Sequence, residues 1–140
     1  MLFWCKSKFK ENGKSSSMEA LMEGICYADA EQRFVKYMED YKKEGEYEAE
    51  IVKKNITEIF EAEDRENYYM MKIQIIVYDD KSGTEKRANK IYLAHADSIE
   101  DAIRVTEAAM KGSMSDYEII SVSRTELLDV VMLGNKPNEA

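Results

Sequence analysis

The stretch Cys5-Lys6-Ser7-Lys8-Phe9 alternates apolar or small side chains with lysines. A related stretch, Met71-Lys72-Ile73-Gln74-Ile75, repeats this alternation about 66 residues later. A period of two is typical of a half-buried β-strand. Each stretch is followed by a glycine-containing turn, a second apolar stretch, a capped helical segment and a closing strand. The same order of signals therefore occurs twice, and such an internal repeat decides the fold.

In the first half, we expect strands over Leu2–Glu11 and Met18–Tyr27, which flank a turn with asparagine and glycine. Asp29 is expected to cap the helix, because a glutamine follows it three residues later. Gly45 should end this helix. A third strand should start at Tyr47, since polar and apolar residues alternate again from that point.

In the second half, the same signals predict strands over Tyr69–Tyr78, Arg87–Ala94 and Tyr117–Val122. Ser98 is expected to cap the intervening helix, with Asp101 completing a capping box. Alternation assigns four residues of the leading strand to its buried face. These residues are Met71, Ile73, Ile75 and Val77.

The order strand, strand, helix, strand, twice over, indicates an α+β fold. We expect a duplicated β-β-α-β unit whose two pseudo-symmetric halves each pack one helix on a small antiparallel or mixed sheet. The halves are predicted at 1–60 and 68–133, with a charged connector at 61–67 and a flexible tail at 134–140. With 140 residues, the chain is long enough for one compact domain.

Composition is that of a globular protein, with 44% hydrophobic and 34% charged residues. The apolar start at Met1 is too short for a signal peptide, and no run approaches the about 18 apolar residues of a membrane span. We therefore expect a cytoplasmic protein that does not bind membranes. The net charge of −8 opposes loose attraction to nucleic acid or anionic lipid.

The sequence lacks the residues that an enzyme or a metal site would need. It contains one histidine, His95, and two cysteines, Cys5 and Cys26. Their spacing does not form a zinc pattern, and no glycine-rich phosphate loop occurs. We expect no catalysis, no metal and no cofactor. A reducing compartment predicts two buried thiols rather than a disulfide.

One set of residues could bind nucleic acid. The polar faces of the two leading strands interleave aromatic side chains with bases, a pattern that can stack on nucleobases and neutralise phosphates. Local charge supports this, with an excess of about +3 over residues 1–18 and +2 over 72–90. The alternative is an ordinary solvated face. The candidate residues are Trp4, Lys6, Lys8 and Lys10 on the first strand, and Met70, Lys72, Gln74 and Tyr78 on the fourth.

Several motifs resemble a known family, among them Trp4-Cys5-Lys6, residues 80–86, 109–119 and 122–126. The chain is similar to short, uncharacterised proteins of Bacteroidetes genomes and their phages, catalogued as a domain of unknown function. In that family the second half also opens with an aromatic residue followed by Cys-Lys. Here Met71-Lys72 replaces it, so no paired-cysteine function follows. The resemblance implies a phage or mobile-element setting in a bacterial host cell, and no activity.

Two functions from different classes remain. The first is a small non-enzymatic binding or adaptor protein that acts through contacts with a protein partner. The second is an accessory protein that binds single-stranded DNA or RNA through the lysine–aromatic faces. Unpaired sheet edges would also permit homo-oligomers.

Overall fold

The computed structural model describes residues 1–40, 48–113 and 116–133. The described elements, in chain order, are β1 (Leu2–Glu11), β2 (Lys14–Glu23), α1 (Tyr27–Asp40), β3 (Glu48–Lys54), β4 (Glu58–Phe60), β5 (Asn67–Asp79), β6 (Thr84–Ala96), α2 (Ile99–Met110), β7 (Asp116–Arg124) and β8 (Leu127–Val131). The protein is α+β, with two four-stranded mixed sheets that each pack one helix. The predicted fold class and duplication are therefore confirmed.

The chain forms two compact units, Met1–Asn55 with Glu126–Ala140, and Ile56–Thr125. In the first unit the sheet order is β3-β1-β2-β8. The strands β1, β2 and β3 pair antiparallel, and β8 lies parallel to β2. The alternation of β1 buries Phe3, Cys5 and Phe9 on one face, where the apolar stripe of α1 packs. Burial of this face drives the sheet and the helix together.

The second unit repeats this arrangement in the order β4-β6-β5-β7. The strands β5, β6 and β7 pair antiparallel, and β4 lies parallel to β6. Tyr69, Met71 and Ile73 point from β5 into a core that includes α2. The register of β7 shifts opposite Lys72 and Ile73, which leaves Ile120 as a bulge.

Each sheet is completed by a strand that follows the other half's repeat. β4 comes directly after β3 in the chain but pairs in the sheet of the second unit. β8 comes directly after β7 but pairs in the sheet of the first unit. The unit boundaries therefore differ from the predicted halves at 1–60 and 68–133. The predicted connector at 61–67 joins β4 to β5 within the second unit.

In the first turn of each helix, a carboxylate accepts a hydrogen bond from the backbone N–H of the residue four positions earlier. Ser98 is the N-cap of α2, as predicted, and its Oγ accepts from the N–H of Asp101 at 3.0 Å. The Asp101 carboxylate accepts from the N–H of Asp97 at 3.0 Å. Asp29 accepts from the N–H of Ile25 at 2.9 Å and lies inside the first turn of α1, so its prediction as the N-cap was wrong by position. These hydrogen bonds lower the pKa of both carboxyl groups.

Three further expectations need correction. The second strand spans Lys14–Glu23 and ends before Cys26, which is exposed, whereas only Cys5 is buried. Val77 is 50% exposed because the hairpin of β5 and β6 extends past the core. The predicted helix end at Gly45, the strand start at Tyr47 and the tail at 134–140 lie outside the described residues.

Candidate interaction surface

The lysine face of β1 lies on the side of the sheet opposite α1, as the alternation predicted. Lys8 and Lys10 are exposed, and Lys6 is partly buried. Lys6 lies in register between Glu19 of β2 and Glu50 of β3. Cross-strand neighbours of opposite charge partly neutralise each other. The positive charge of this face is therefore lower than the count of lysines suggests.

Trp4 is partly buried and fixed by a polar contact. Its indole Nε1 donates to Glu19 Oε1 at 2.8 Å. A ring held in this way presents less of its face for stacking on a base. Lys6 and Lys8, together with Ala49 and Glu50, line a shallow surface pocket on this unit.

The matching face of β5 carries a hydrogen-bond network. The Gln74 side chain donates to Asn89 Oδ1 at 3.0 Å and accepts from Arg87 Nη1 at 3.2 Å. Arg87 also donates to Glu118 at 2.9 Å and contacts Glu85 at 3.5 Å, and these acids raise its pKa. Arg87 was missed as a site candidate, although it follows the alternation that placed Gln74 and Tyr78 on one face.

Of the predicted residues on β5, Lys72 and Tyr78 are exposed, and Met70 and Gln74 are partly buried. The structure thus brings Gln74 together with Arg87 and Asn89. Trp4, Lys6, Lys8 and Lys10 belong to the first unit, whereas Lys72, Gln74 and Tyr78 belong to the second.

The most exposed apolar side chains of this hairpin lie near its turn. We define the hairpin extension as residues 77–86, which pair with each other and with no further strand among the described residues. β7 reaches only to Ile76 in its register with β5, and β4 pairs only with Tyr92–Ala94 of β6. Within the extension, Val77 is 50% and Tyr78 is 64% exposed.

The turn of the extension is held by its own hydrogen bonds. The N–H of Gly83 donates to the Asp79 carbonyl at 2.8 Å, and the N–H of Lys81 donates to the Asp79 carboxylate at 3.0 Å. This second contact lowers the pKa of Asp79. Gly83 has φ of 68°, a conformation that favours glycine. The extension is therefore a preorganised surface rather than a loose loop.

His95 lies in a packed environment. Its ring stacks on Tyr68 with the ring centroids 4.3 Å apart. Its Nδ1 is 3.9 Å from a carboxylate oxygen of Glu61. Within residues 1–40, 48–113 and 116–133, no group of three or more His, Cys, Asp or Glu side chains could hold a metal ion. None of the helices that the structure describes is both long and apolar enough to cross a membrane.

The fold and this surface define a duplicated α+β protein with an extended hairpin in its second unit. A family model described as Domain of unknown function (DUF4494) matches residues 1–133, and the chain belongs to this family. No curated protein shows significant similarity to the chain, and neither does any solved structure.

Proposed function

We propose that this protein is a non-enzymatic binding protein that recognises a protein partner through the hairpin extension. The observation that carries the proposal is the exposure of Val77 and Tyr78 on an ordered hairpin that no other described part of the chain covers. Exposed apolar side chains on a rigid element are typical of binding surfaces, and tyrosine is enriched among residues that dominate binding energy.

The duplication supports a role beyond folding for the extension. β1 and β2 contain 10 residues each, whereas β5 and β6 contain 13 each. The first unit forms its sheet and core with the shorter hairpin. At the offset of 66 residues that relates Cys5 to Met71, Val77 is equivalent to Glu11 at the end of β1. Tyr78 and Asp79 are therefore the residues by which β5 extends past the shared scaffold towards its turn.

The geometry of the extension indicates the kind of surface it fits. Adjacent residues of a strand point to opposite faces, so Val77 and Tyr78 present one apolar side chain on each face of the hairpin. Val77 lies opposite Lys86, and Tyr78 lies opposite Glu85. A two-stranded hairpin with an apolar group on both faces fits a cleft in a protein partner better than a flat surface.

Charge favours a protein partner over nucleic acid at this extension. Residues 77–86 contain Asp79, Asp80 and Glu85 against Lys81 and Lys86. The bases that made the surrounding segment positive, Lys72 and Arg87 among them, lie outside it. A nearly neutral surface gains little from counterion release on phosphate binding.

The test is affinity capture of the full chain from its own host cells, followed by titration of the purified partner. The variant Val77→Ser/Tyr78→Ser should lose the partner or bind at least about tenfold more weakly, since hot-spot truncations cost this much or more. Ile25→Ser is the matched control, because Ile25 is 70% exposed in the first unit. A partner captured equally by the double variant and the wild type would contradict the proposal.

The nucleic-acid alternative rests on the exposure of Lys8, Lys10 and Lys72. Its test is fluorescence anisotropy with labelled single-stranded DNA and RNA at about 50 and 200 mM salt, where phosphate binding weakens steeply. Salt-sensitive binding that Lys8→Glu/Lys72→Glu abolishes would replace the first proposal. The family resemblance adds a phage or bacterial mobile element as the setting and the host cytoplasm as the location in either case.

A further inference from the structure

The edge strand β3 of the first unit has features that suit pairing with another strand. Among the strands that the structure describes, it lies at one end of its sheet, and its register with β1 is unbroken from Leu2↔Lys54 to Lys8↔Glu48. Proteins usually protect such edges with bulges, short strands or charges, because an open edge is a template for a further strand. β7 carries a bulge and β4 has three residues, whereas β3 has seven residues and a regular register.

The charges of β3 do not protect it against a second copy of itself. Side chains alternate along a strand, so Glu50, Val52 and Lys54 lie on one face, opposite the buried Ile51. All three are exposed, and Val52 is 42% exposed. Their order, acid, apolar, base, is self-complementary when the strand is reversed.

An antiparallel pair of β3 strands with a two-fold axis through Val52 satisfies this pattern. Val52 would face Val52 of the second copy, and Glu50 would face Lys54 of the second copy on both sides of the axis. Opposite charges directly across an antiparallel pair stabilise it, and like charges destabilise it. A shift of the axis to Ile51 would set Glu50 against Val52 and Glu48 against Lys54, so Glu50 is the position whose charge distinguishes the two registers.

We propose that two copies of this chain pair through β3. The first-unit sheet of one copy then joins the first-unit sheet of the other copy as one continuous sheet. The interface is isologous, as in most homodimers. The Tyr27 hydroxyl donates to the Ile51 carbonyl at 2.6 Å. A carbonyl oxygen has two lone pairs, so the same carbonyl can also accept an N–H from the second copy. This inference does not depend on the hairpin extension or its partner.

The test uses charge reversal and sedimentation equilibrium of the full chain at about 50 mM salt, where surface ion pairs are little screened. The wild type should form dimers as its concentration rises. Glu50→Lys and Lys54→Glu each create two like-charge pairs and should weaken the dimer at least about tenfold. Lys53→Glu is the matched control, because it makes the same change of charge on the other face of β3.

A mixture of the two reversed variants gives the decisive result. One chain then presents two lysines and the other presents two glutamates, so each ion pair is restored and a heterodimer should form. Glu50→Lys also places a lysine beside Lys6, so circular dichroism must show that both variants are folded. If Glu50→Lys is unfolded, a folded Lys54→Glu still tests the pairing of β3 by itself. A wild type that stays monomeric, a Lys54→Glu variant that dimerises normally, or a mixture of folded variants without heterodimer would overturn the proposal.

Discussion

The two units of the molecule fill equivalent core positions differently: the large side chain comes from the helix in the first unit and from the strand in the second. Each helix buries three residues at a spacing of four, with an alanine first and a methionine last. The middle residue is a large aromatic in α1 and a small polar residue in α2. In order, the buried residues are Ala30, Phe34 and Met38 in α1, and Ala102, Thr106 and Met110 in α2.

The strands show the reverse difference. Ser7 on β1 corresponds in the repeat to Ile73 on β5, and both are fully buried. The first unit thus combines a large helix residue with a small strand residue, and the second unit combines the opposite sizes. Neither the Ser7 hydroxyl nor the Thr106 hydroxyl has a hydrogen-bond partner among the described residues. The comparison indicates that the duplicated scaffold conserves core volume rather than residue identity, as core substitutions in general allow.

The largest effect should follow from giving α1 the small residue that α2 has at the equivalent position, while the strand residue stays unchanged. Phe34→Thr removes a fully buried ring and should lower the free energy of unfolding by about 3–5 kcal/mol. Adding Ser7→Ile also gives β1 the large residue that β5 has at the equivalent position. The double variant should regain about 1 kcal/mol or more of unfolding free energy, within the range of couplings between residues that share a cavity. Urea denaturation of both variants measures this recovery.

The control for this exchange is Ser7→Ile alone. In the wild-type background it should overpack the core and destabilise the protein by about 1–3 kcal/mol. If Ser7→Ile is as harmful in the Phe34→Thr background as in the wild type, the two positions do not share one space, and the volume comparison would be wrong.

A second prediction tests whether β8, which follows the second unit in the chain, stabilises the sheet of the first unit. Leu127 on β8 is buried and its neighbour Leu128 is 57% exposed. Leu127→Ala should therefore cost about 2–5 kcal/mol, and Leu128→Ala should cost less than about 0.5 kcal/mol. Trp4 is the only tryptophan and belongs to the first unit, so its fluorescence reports on that unit.

The informative outcome is which unit responds. β8 follows the second repeat in sequence but pairs with β2. We expect Leu127→Ala to lower the unfolding midpoint seen by Trp4 fluorescence. An unchanged Trp4 transition, with loss of structure only in amides of β5 and β6 by hydrogen exchange, would show that β8 stabilises the second unit instead.

Periodicity was sufficient to predict most of the fold. The alternation in β1 and the capping signal at Ser98 depend on neighbouring residues, so they could be recognised in sequence. The crossed positions of β4 and β8 could not, because a short apolar run does not specify the sheet in which it pairs. Leu127 lies in a short apolar run of the sequence, but the parallel pairing of this run with β2 depends on contacts distant in the chain.

The candidate surface was predicted less completely, for a related reason. Alternation correctly assigned Lys6 and Cys5 to opposite faces of β1. It could not show that Glu19 and Glu50 flank Lys6, since this depends on the register of the neighbouring strands. Alternation also assigned Val77 to the buried face. The assignment failed because burial requires a helix above the strand, and the hairpin extends beyond that point.

The last prediction concerns Cys5, which corresponds to Met71 in the second unit. Burial raises the pKa of the Cys5 thiol from 9.0 to about 12. The unfolded chain therefore releases this proton at lower pH than the folded chain does. The contribution to stability is constant below about pH 9 and is lost as pH rises from 9 towards 12, with a slope of at most about 1.4 kcal/mol per pH unit.

The variant Cys5→Ala isolates the contribution of the Cys5 thiol to the pH dependence of stability. Lysines and tyrosines titrate in the same range, but they are common to both proteins and cancel in the difference. The difference in unfolding free energy between wild type and Cys5→Ala should shrink as pH rises above 9. Cys26 is exposed, so Cys26→Ser controls for the loss of a thiol outside the core. A difference that stays constant with pH would mean that Cys5 ionises as easily in the folded chain as in the unfolded one. The thiol would then be accessible to water, unlike the thioether that the second unit buries at the equivalent position.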